Sequence, residues 1–444
     1  MDLLCTAYSN SDDDEDPEPE PEPEPEPAPD PGRCTFSLPP PKLPKRDIPP
    51  ASFPREAPIP GRYISKRERA LSGQSTQVTV ETPNPPVINN SPVIGSVSES
   101  DIPVDILKSL KNGKKQSPQS LSVALPGHTK AVNSINWSPI HTHLLASAGM
   151  DHTVCVWNVW SKSRGEKKLA RAFKFHNAAV KDVKWSPRGG SLVSCGYDCC
   201  SRLVDVEKGQ EIRRFEEDQV VGAIKFHPHN HNMFLSGGSK GRIRLWDVRV
   251  GKVVHDYIRN LGQVLDVEFS TNGKQFVSSS DVSGGNVSEN SIVVWDVSRQ
   301  IPLSNQLAFP LVATVNMKHE IVYVEAYTCP CIRRHPVDPC FVAQSNGNYI
   351  AIFSSISPFK LDKYKRFESH AVSGFPIKCN FSMDGEKLAS GSSDGSIYYY
   401  SYRSSQLVRK IKAYDHACID VEFHPVFPDV IASCSWNGDV SVFE

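Results

Sequence analysis

The chain has 444 residues, with 49 Lys and Arg against 50 Asp and Glu, 36 Pro and 12 Cys. That length can bury a large core, and no run approaches the roughly 20 consecutive apolar residues of a membrane helix. The acidic start MDLLCTAYSNSDDDED lacks the basic lead and apolar stretch of a secretory signal, so the cysteines are expected as free thiols in a reducing compartment, with no disulfide frame.

Residues 1–31 hold 12 acidic side chains and no Lys or Arg, which leaves 49 basic against 38 acidic residues in the rest. Twenty-three of the 36 prolines precede Leu121. Glu-Pro alternation from Pro17 to Pro27 removes amide donors, fixes φ and places like charges at every second position, which favours an extended rod. The following stretch stays polar and without apolar period, so residues 1–118 are predicted to form a disordered acidic and proline-rich tail. Two basic clusters interrupt it, Gly61 to Arg69 (GRYISKRER) and Lys108 to Lys115 (KSLKNGKK). They read either as nuclear-import or docking peptides or as solvated linker charge.

From Ser120 onward one unit recurs seven times. Its right-hand half reads LASAGMDHTVCVWN from Leu145, LVSCGYDCCSRLVDV from Leu192, FLSGGSKGRIRLWD from Phe234 and LASGSSDGSIYYYS from Leu388, with further copies from Phe276, Phe341 and Ile431. Each is a short apolar run, a Ser/Gly/Asp/Asn turn and an alternating strand ending in a bulky residue. Left-hand halves such as AVNSINWSP, AVKDVKWSP and VVGAIKFHP add another β-type run. The spacing from left-hand anchor to right-hand bulky residue is 20, 19, 20, 26, 19, 19 and 20 residues from first copy to last, so six of seven agree within one. A unit of four strands repeated at this period predicts a seven-bladed all-β propeller over 119–444.

The residues carrying the repeat resemble the WD40 family: Gly127-His128, the Asp151 turn, Trp157-Asn158, Trp246-Asp247 and Trp295-Asp296. In that family a His, a strand Ser, a turn Asp and a Trp form a structural tetrad within a blade. The resemblance implies such a tetrad for His128, Ser147, Asp151 and Trp157. It implies partial tetrads for His176, Ser194 and Asp198, for His370, Ser390, Asp394 and Tyr400, and for His416 with Ser433. Lys240 stands in the Asp slot of the third copy. These polar residues are read as packing devices. Further similarity, in LSNQ at Leu303, the TCP at Thr328, FVAQSNGNYIAIFS and CSWNGDVSVF, is to a branch of the family that includes a second-step pre-mRNA splicing factor.

The last copy offers three strands and stops, while Ser120 to Leu125 is a spare strand at the other end; it is predicted to complete the last blade and close the ring. Departures from the repeat are the places to seek binding. The fourth copy is enlarged at Asp281 to Glu289, which contains Ser283, Gly284 and Asn286, and the next connection carries surplus apolar sequence from Leu307 to Val324. Together these read as a partner groove, as a decorative hairpin, or as intron sequence read as exon. Trp246-Asp247-Val248-Arg249 resembles the W-D-x-R motif of substrate receptors for cullin-type ubiquitin ligases, and Trp246, Asp247 and Arg249 are taken as candidate partner contacts.

Cys329, Cys331, His335 and Cys340 gather three thiols and an imidazole, but C-x-C spacing differs from that of zinc knuckles, so buried or edge thiols are expected and no metal. Basic runs at Arg164 to Lys174 and Lys360 to Arg366 fall near outer strands, where RNA contact is conceivable. There is no phosphate loop, H-E-x-x-H, G-x-S-x-G or G-x-G-x-x-G. The expectation is therefore a non-catalytic, monomeric scaffold without cofactor or membrane attachment. It would bind other proteins inside the cell, in the nucleus by preference. A splicing-complex subunit contacting ribonucleoprotein, or a ubiquitin-ligase receptor, are the alternatives.

Overall fold

The computed structural model describes residues 92–95, 101–104, 106–107, 120–161, 168–259, 261–281, 290–299, 302–307 and 328–444, all within the compact unit Asn84–Glu444. The Glu-Pro stretch, both basic clusters, Ser283, Gly284 and Asn286, and the insertion beyond Leu307 lie outside the described residues.

Among the described residues 28 strands build seven antiparallel sheets of four, the blades of a propeller. Blade 1 runs through Val132–Trp137, Leu144–Gly149, Val154–Asn158 and Leu169–Phe173, from the inner strand at the axis to the outer strand at the rim. The inner three strands are buried on both sides, because each blade is wedged between two others. They therefore carry apolar and small residues in near-continuous runs. Outer strands such as Gln210–Glu216 (QEIRRFE) show one side to water, and their exposure alternates with the pleat.

The core lies between blades. Trp157 and Trp137 pack with Val123, Val440 and Val442, which ties the first blade to the last. That junction is also where the ring closes. Leu121–Ala124 pairs antiparallel with Val440–Phe443, as fourth strand of the last sheet, with Leu121 opposite Phe443 and Ala124 opposite Ser441. Ser120 and Glu444 exchange both backbone hydrogen bonds at 3.1 Å, and the Leu125 N–H donates to the Val440 carbonyl at 2.8 Å.

Connections from first to second strand and from third to fourth strand open on one face of the ring, the lower face. Two segments upstream of the first blade join its core: Val93 is 4% and Ile106 5% exposed. Val93 packs with Leu144 of blade 1 and Val206 of blade 2, and Ile106 with Leu125, Trp160 and Phe427. Packed structure thus begins upstream of residue 119.

Candidate functional site

Blade 1 carries the full four-residue network. His128 bonds Asp151 through Nδ1 at 3.0 Å and Ser147 Oγ through Nε2 at 2.7 Å, while Trp157 Nε1–H donates to the same Oγ at 2.8 Å. A Cβ on Gly149 would collide with His128 and Asp151, so glycine is what lets the imidazole cross the strand end. Burial opposes charge on His128, but the hydrogen bond to Asp151 outweighs it and the pKa rises to about 9. Asp151 stays well below the ordinary carboxylate range, since its bond to His128 overcomes its own desolvation. In blade 2, His176 bonds Asp198 at 3.0 Å and Ser194 at 2.8 Å. Val204 fills the Trp position, and Arg202 adds an ion pair to Asp198 at 3.1 Å.

The other blades keep fragments. Trp246 donates to Ser236 and Trp295 to Ser278, each at 2.9 Å. In blade 3 the space under the strand-end glycine, Gly238, is filled by Gln219, whose Oε1 accepts the Lys240 N–H at 3.1 Å.

Blades 6 and 7 correct the expected assignments. His370 does not bond Asp394. Its Nδ1 meets Tyr400 Oη at 3.0 Å and its Nε2 meets Gln344 Nε2, from blade 5, at 2.6 Å. Ser390 donates to Gln344 Oε1 at 3.2 Å. Asp394 instead pairs with Lys410 at 2.8 Å and accepts from Tyr398 Oη at 2.9 Å. With no carboxylate on its ring, His370 is pushed down by burial to about 4 and stays neutral. In blade 7 His416 is exposed, and it is Tyr414 whose hydroxyl reaches Ser433 Oγ, at 2.8 Å. The longer phenol spans a gap that His416, two residues on, faces away from.

Two devices that hold blades together went unnoticed in the sequence. Asp182, Asp266 and Asp420 each lie on an inner strand and accept an N–H from the next blade: Ile224 at 3.3 Å, Ile332 at 2.9 Å and Ile135 at 3.1 Å. The recurring dipeptide Asp-Val three residues before the anchor was their signature. Lys184, at 2.7 Å, and Lys378 hold Asp182 ionised against the desolvation it suffers. On the lower face His227, His335 and His424 all precede a proline. Their Nε2 atoms meet carbonyls of the next blade, Gly273 at 3.1 Å, Gly385 at 3.0 Å and Thr142 at 2.8 Å. Their Nδ1 atoms accept backbone N–H groups of the same turn, in His424 from Val426 and Phe427. A ring that accepts at Nδ1 donates at Nε2, so the turn and the next blade together set the orientation of each ring. Burial holds His424 near 4.

The candidate partner contacts separate. Trp246 is 5% exposed and cannot meet a partner. Arg249 projects outward with its guanidinium paired to Asp247 at 2.7 Å. Cys331, His335 and Cys340 point to different neighbours: the Cys379 carbonyl, the Gly385 carbonyl and Tyr402. Among the described residues no group of three or more His, Cys, Asp or Glu is arranged to hold a metal. Of the second basic run, Lys365 lies over the Tyr402 ring and Arg366 over Tyr349, while Tyr364, just before them, is 96% exposed. Among the described residues no helix is long and apolar enough to cross a membrane.

One seat on the lower face is filled by a segment of the chain itself. Val93 enters the groove between blades 1 and 2, its backbone bonds His143, and the Ile94 N–H donates to the Glu207 carboxylate at 2.9 Å.

Comparison with known proteins agrees with this architecture. Residues 119–158, 167–205, 209–247 and 362–401 match the family described as WD domain, G-beta repeat. The chain is 34% identical to mouse WD repeat-containing protein 25 over 86% of its own length and 69% of that protein. It is 30% identical to human Pre-mRNA-processing factor 17, over 78% of this chain and 55% of that protein. To the zebrafish Denticleless protein homolog it is 23% identical over 67% and 49%. With seven four-stranded blades, the tetrad of blade 1 and these relatives together, the chain belongs to the WD40-repeat family.

Proposed function

We propose that this protein is a non-catalytic interaction scaffold working in a nuclear complex. The observation that carries this reading is the fate of the repeat's polar residues. His128, Ser147, Asp151, His176 and Ser194 bond one another inside blades, and Asp182, Asp266 and Asp420 bond backbone between blades. Groups committed to holding a ring together serve rigidity, and a rigid ring serves to present loops and grooves. Val93 and Ile106 are buried against the ring, so the tail is taken to end before Pro92, and the ring with these packed segments is taken as the docking body. Proximity labelling from the full chain tests the reading: the expected outcome is a reproducible set of nuclear proteins. A purified sample that turns over a substrate, or labelling confined to the cytoplasm, overturns it.

Similarity to Pre-mRNA-processing factor 17 favours a second, narrower reading, a splicing-associated subunit. Co-sedimentation with small nuclear RNAs that is abolished by nuclease supports it, and sedimentation free of such RNAs rejects it. The ligase-receptor reading rests on Trp246, Asp247 and Arg249. If Arg249→Ala leaves every ligase-adaptor interaction intact, that reading fails.

A further inference from the structure

We propose that the lower-face groove between blades 4 and 5 docks an extended partner peptide that presents an aliphatic residue directly after proline, the chemistry with which this chain's own Pro92-Val93-Ile94 fills the groove between blades 1 and 2. This rests on the scaffold reading and names a face and a ligand class for it.

Strand register makes the two grooves equivalent. Leu145 pairs opposite Trp137 and Phe276 opposite Phe269, so Leu144 and Gln275 hold the same position at the start of a second strand. Leu169 faces Trp157 and Pro302 faces Trp295, each followed by one bulged residue before pairing resumes, so Ala170 and Leu303 correspond. The Val206 and Ser355 N–H groups each donate to a carbonyl of their own blade's first turn, Gly190 and Pro339, so Val206-Glu207 and Ser355-Ile356 correspond. At blades 1 and 2 the positions Leu144, Ala170 and Val206 share a cluster with Val93. Their counterparts at blades 4 and 5 border an open groove of about 440 Å³.

The open groove is more apolar at its rim than the filled one. Leu303 is 38% exposed where blade 1 has the small Ala170, and Ile356 is 58% exposed where blade 2 has the Glu207 carboxylate. Phe359 closes the back, Asn272, Gln275 and Ser355 supply neutral hydrogen-bonding groups, and no charged side chain lines it among the described residues. A charged peptide would lose its hydration there without compensation. An aliphatic residue covers Leu303 and Ile356 instead. Proline before it brings no N–H needing a partner and holds the peptide extended, so less entropy is lost on docking.

The test uses the full chain and a labelled synthetic peptide, Ser-Pro-Val-Ile-Gly-Ser, the sequence of residues 91–96, followed by fluorescence anisotropy. Saturable binding is expected, weakened about tenfold or more by Ile356→Asp or Leu303→Asp, and equally by Val→Asp in the peptide. Glu207→Ala, at the groove that is already filled, should leave it unchanged. Absence of binding, or binding indifferent to both substitutions at blades 4 and 5, overturns the proposal while leaving proximity labelling, and so the scaffold reading, untouched. The tail holds another Pro-Val-Ile at 86–88. If Val87→Asp in the full chain tightens peptide binding, that segment is the occupant and the assignment to a partner falls.

Discussion

Closure of the ring by residues 120–125 makes stability depend on a segment more than 300 positions from its partner strand, and single substitutions measure it without shortening the chain. Leu125 is 1% exposed and packs with Trp137, Trp157 and Val442 across the junction of last and first blades, whereas Leu121, four residues earlier on the same segment, is 56% exposed. Leu125→Ala should cost about 2–5 kcal/mol, the range for a buried leucine whose cavity cannot collapse. Leu121→Ala should cost less than about 0.5 kcal/mol. At about 2 °C per kcal/mol for a domain of this size, the first lowers Tm by roughly 4–10 °C and the second by under about 1 °C. Truncation through residue 126 goes further. It removes burial of Val123 and Leu125 and the backbone bonds of Ser120 and Leu125. These closing-strand losses alone, on top of those of Val93 and Ile106, amount to about 6–9 kcal/mol, comparable with the whole stability of a typical domain. Truncation through 107 takes away Val93 and Ile106 and should fall between, and truncation through 91 should change little. Tryptophan fluorescence in urea and on heating reads all of these. If Leu125→Ala and Leu121→Ala unfold together with the wild type, the closing strand frays independently of the ring and the reasoning is wrong.

Ser147→Ala strands two buried donors, on His128 and Trp157, and should cost about 2–4 kcal/mol; Ser236→Ala strands only Trp246 and should cost about half as much, measured as a shift in urea midpoint at constant m-value. Acid should weaken the fold through His424. Its folded pKa near 4 lies below the ordinary 6.5, so the unfolded chain takes up the proton first. The stability it contributes is full above pH 6.5 and lost as pH falls toward 4, by about 3 kcal/mol at most. His424→Asn should flatten that slope, and an unchanged slope would refute it. His128 behaves in the opposite sense: with a folded pKa raised to about 9, its contribution is complete below pH 6.5 and lost as pH rises through 9. Arg249→Ala should leave the melting curve nearly unchanged, because the Arg249 side chain is solvent-exposed although its partner Asp247 is largely buried, whereas Trp246→Ala should cost about 3–5 kcal/mol; binding lost in the arginine variant therefore reports a contact.

Blade number, strand order and the residue that each blade buries at its third-strand end were legible in the chain because the repeat spacing is a local property. Two strands and a tight turn impose 19 or 20 residues between anchors wherever the blade sits, save in the fourth, whose enlarged turn makes it 26. The tetrad of blade 1 was legible for the same reason, since all its members lie within 30 positions of each other. His370 was misassigned because its partner depends on packing across blades, and His416 because a tyrosine two residues earlier in the same blade takes its place. Gln344 reaches His370 from the neighbouring sheet, and Tyr414 displaces His416 by virtue of a longer ring. The Asp-Val staples and His-Pro latches were written in the sequence as recurring dipeptides. Their meaning, however, is a hydrogen bond to a backbone some 40 to 280 positions away, which only the closed ring brings within 3.3 Å. The groove between blades 4 and 5 belongs wholly to the tertiary structure. No short segment encodes it, and it exists because three turns from two blades, each unremarkable alone, converge on one face.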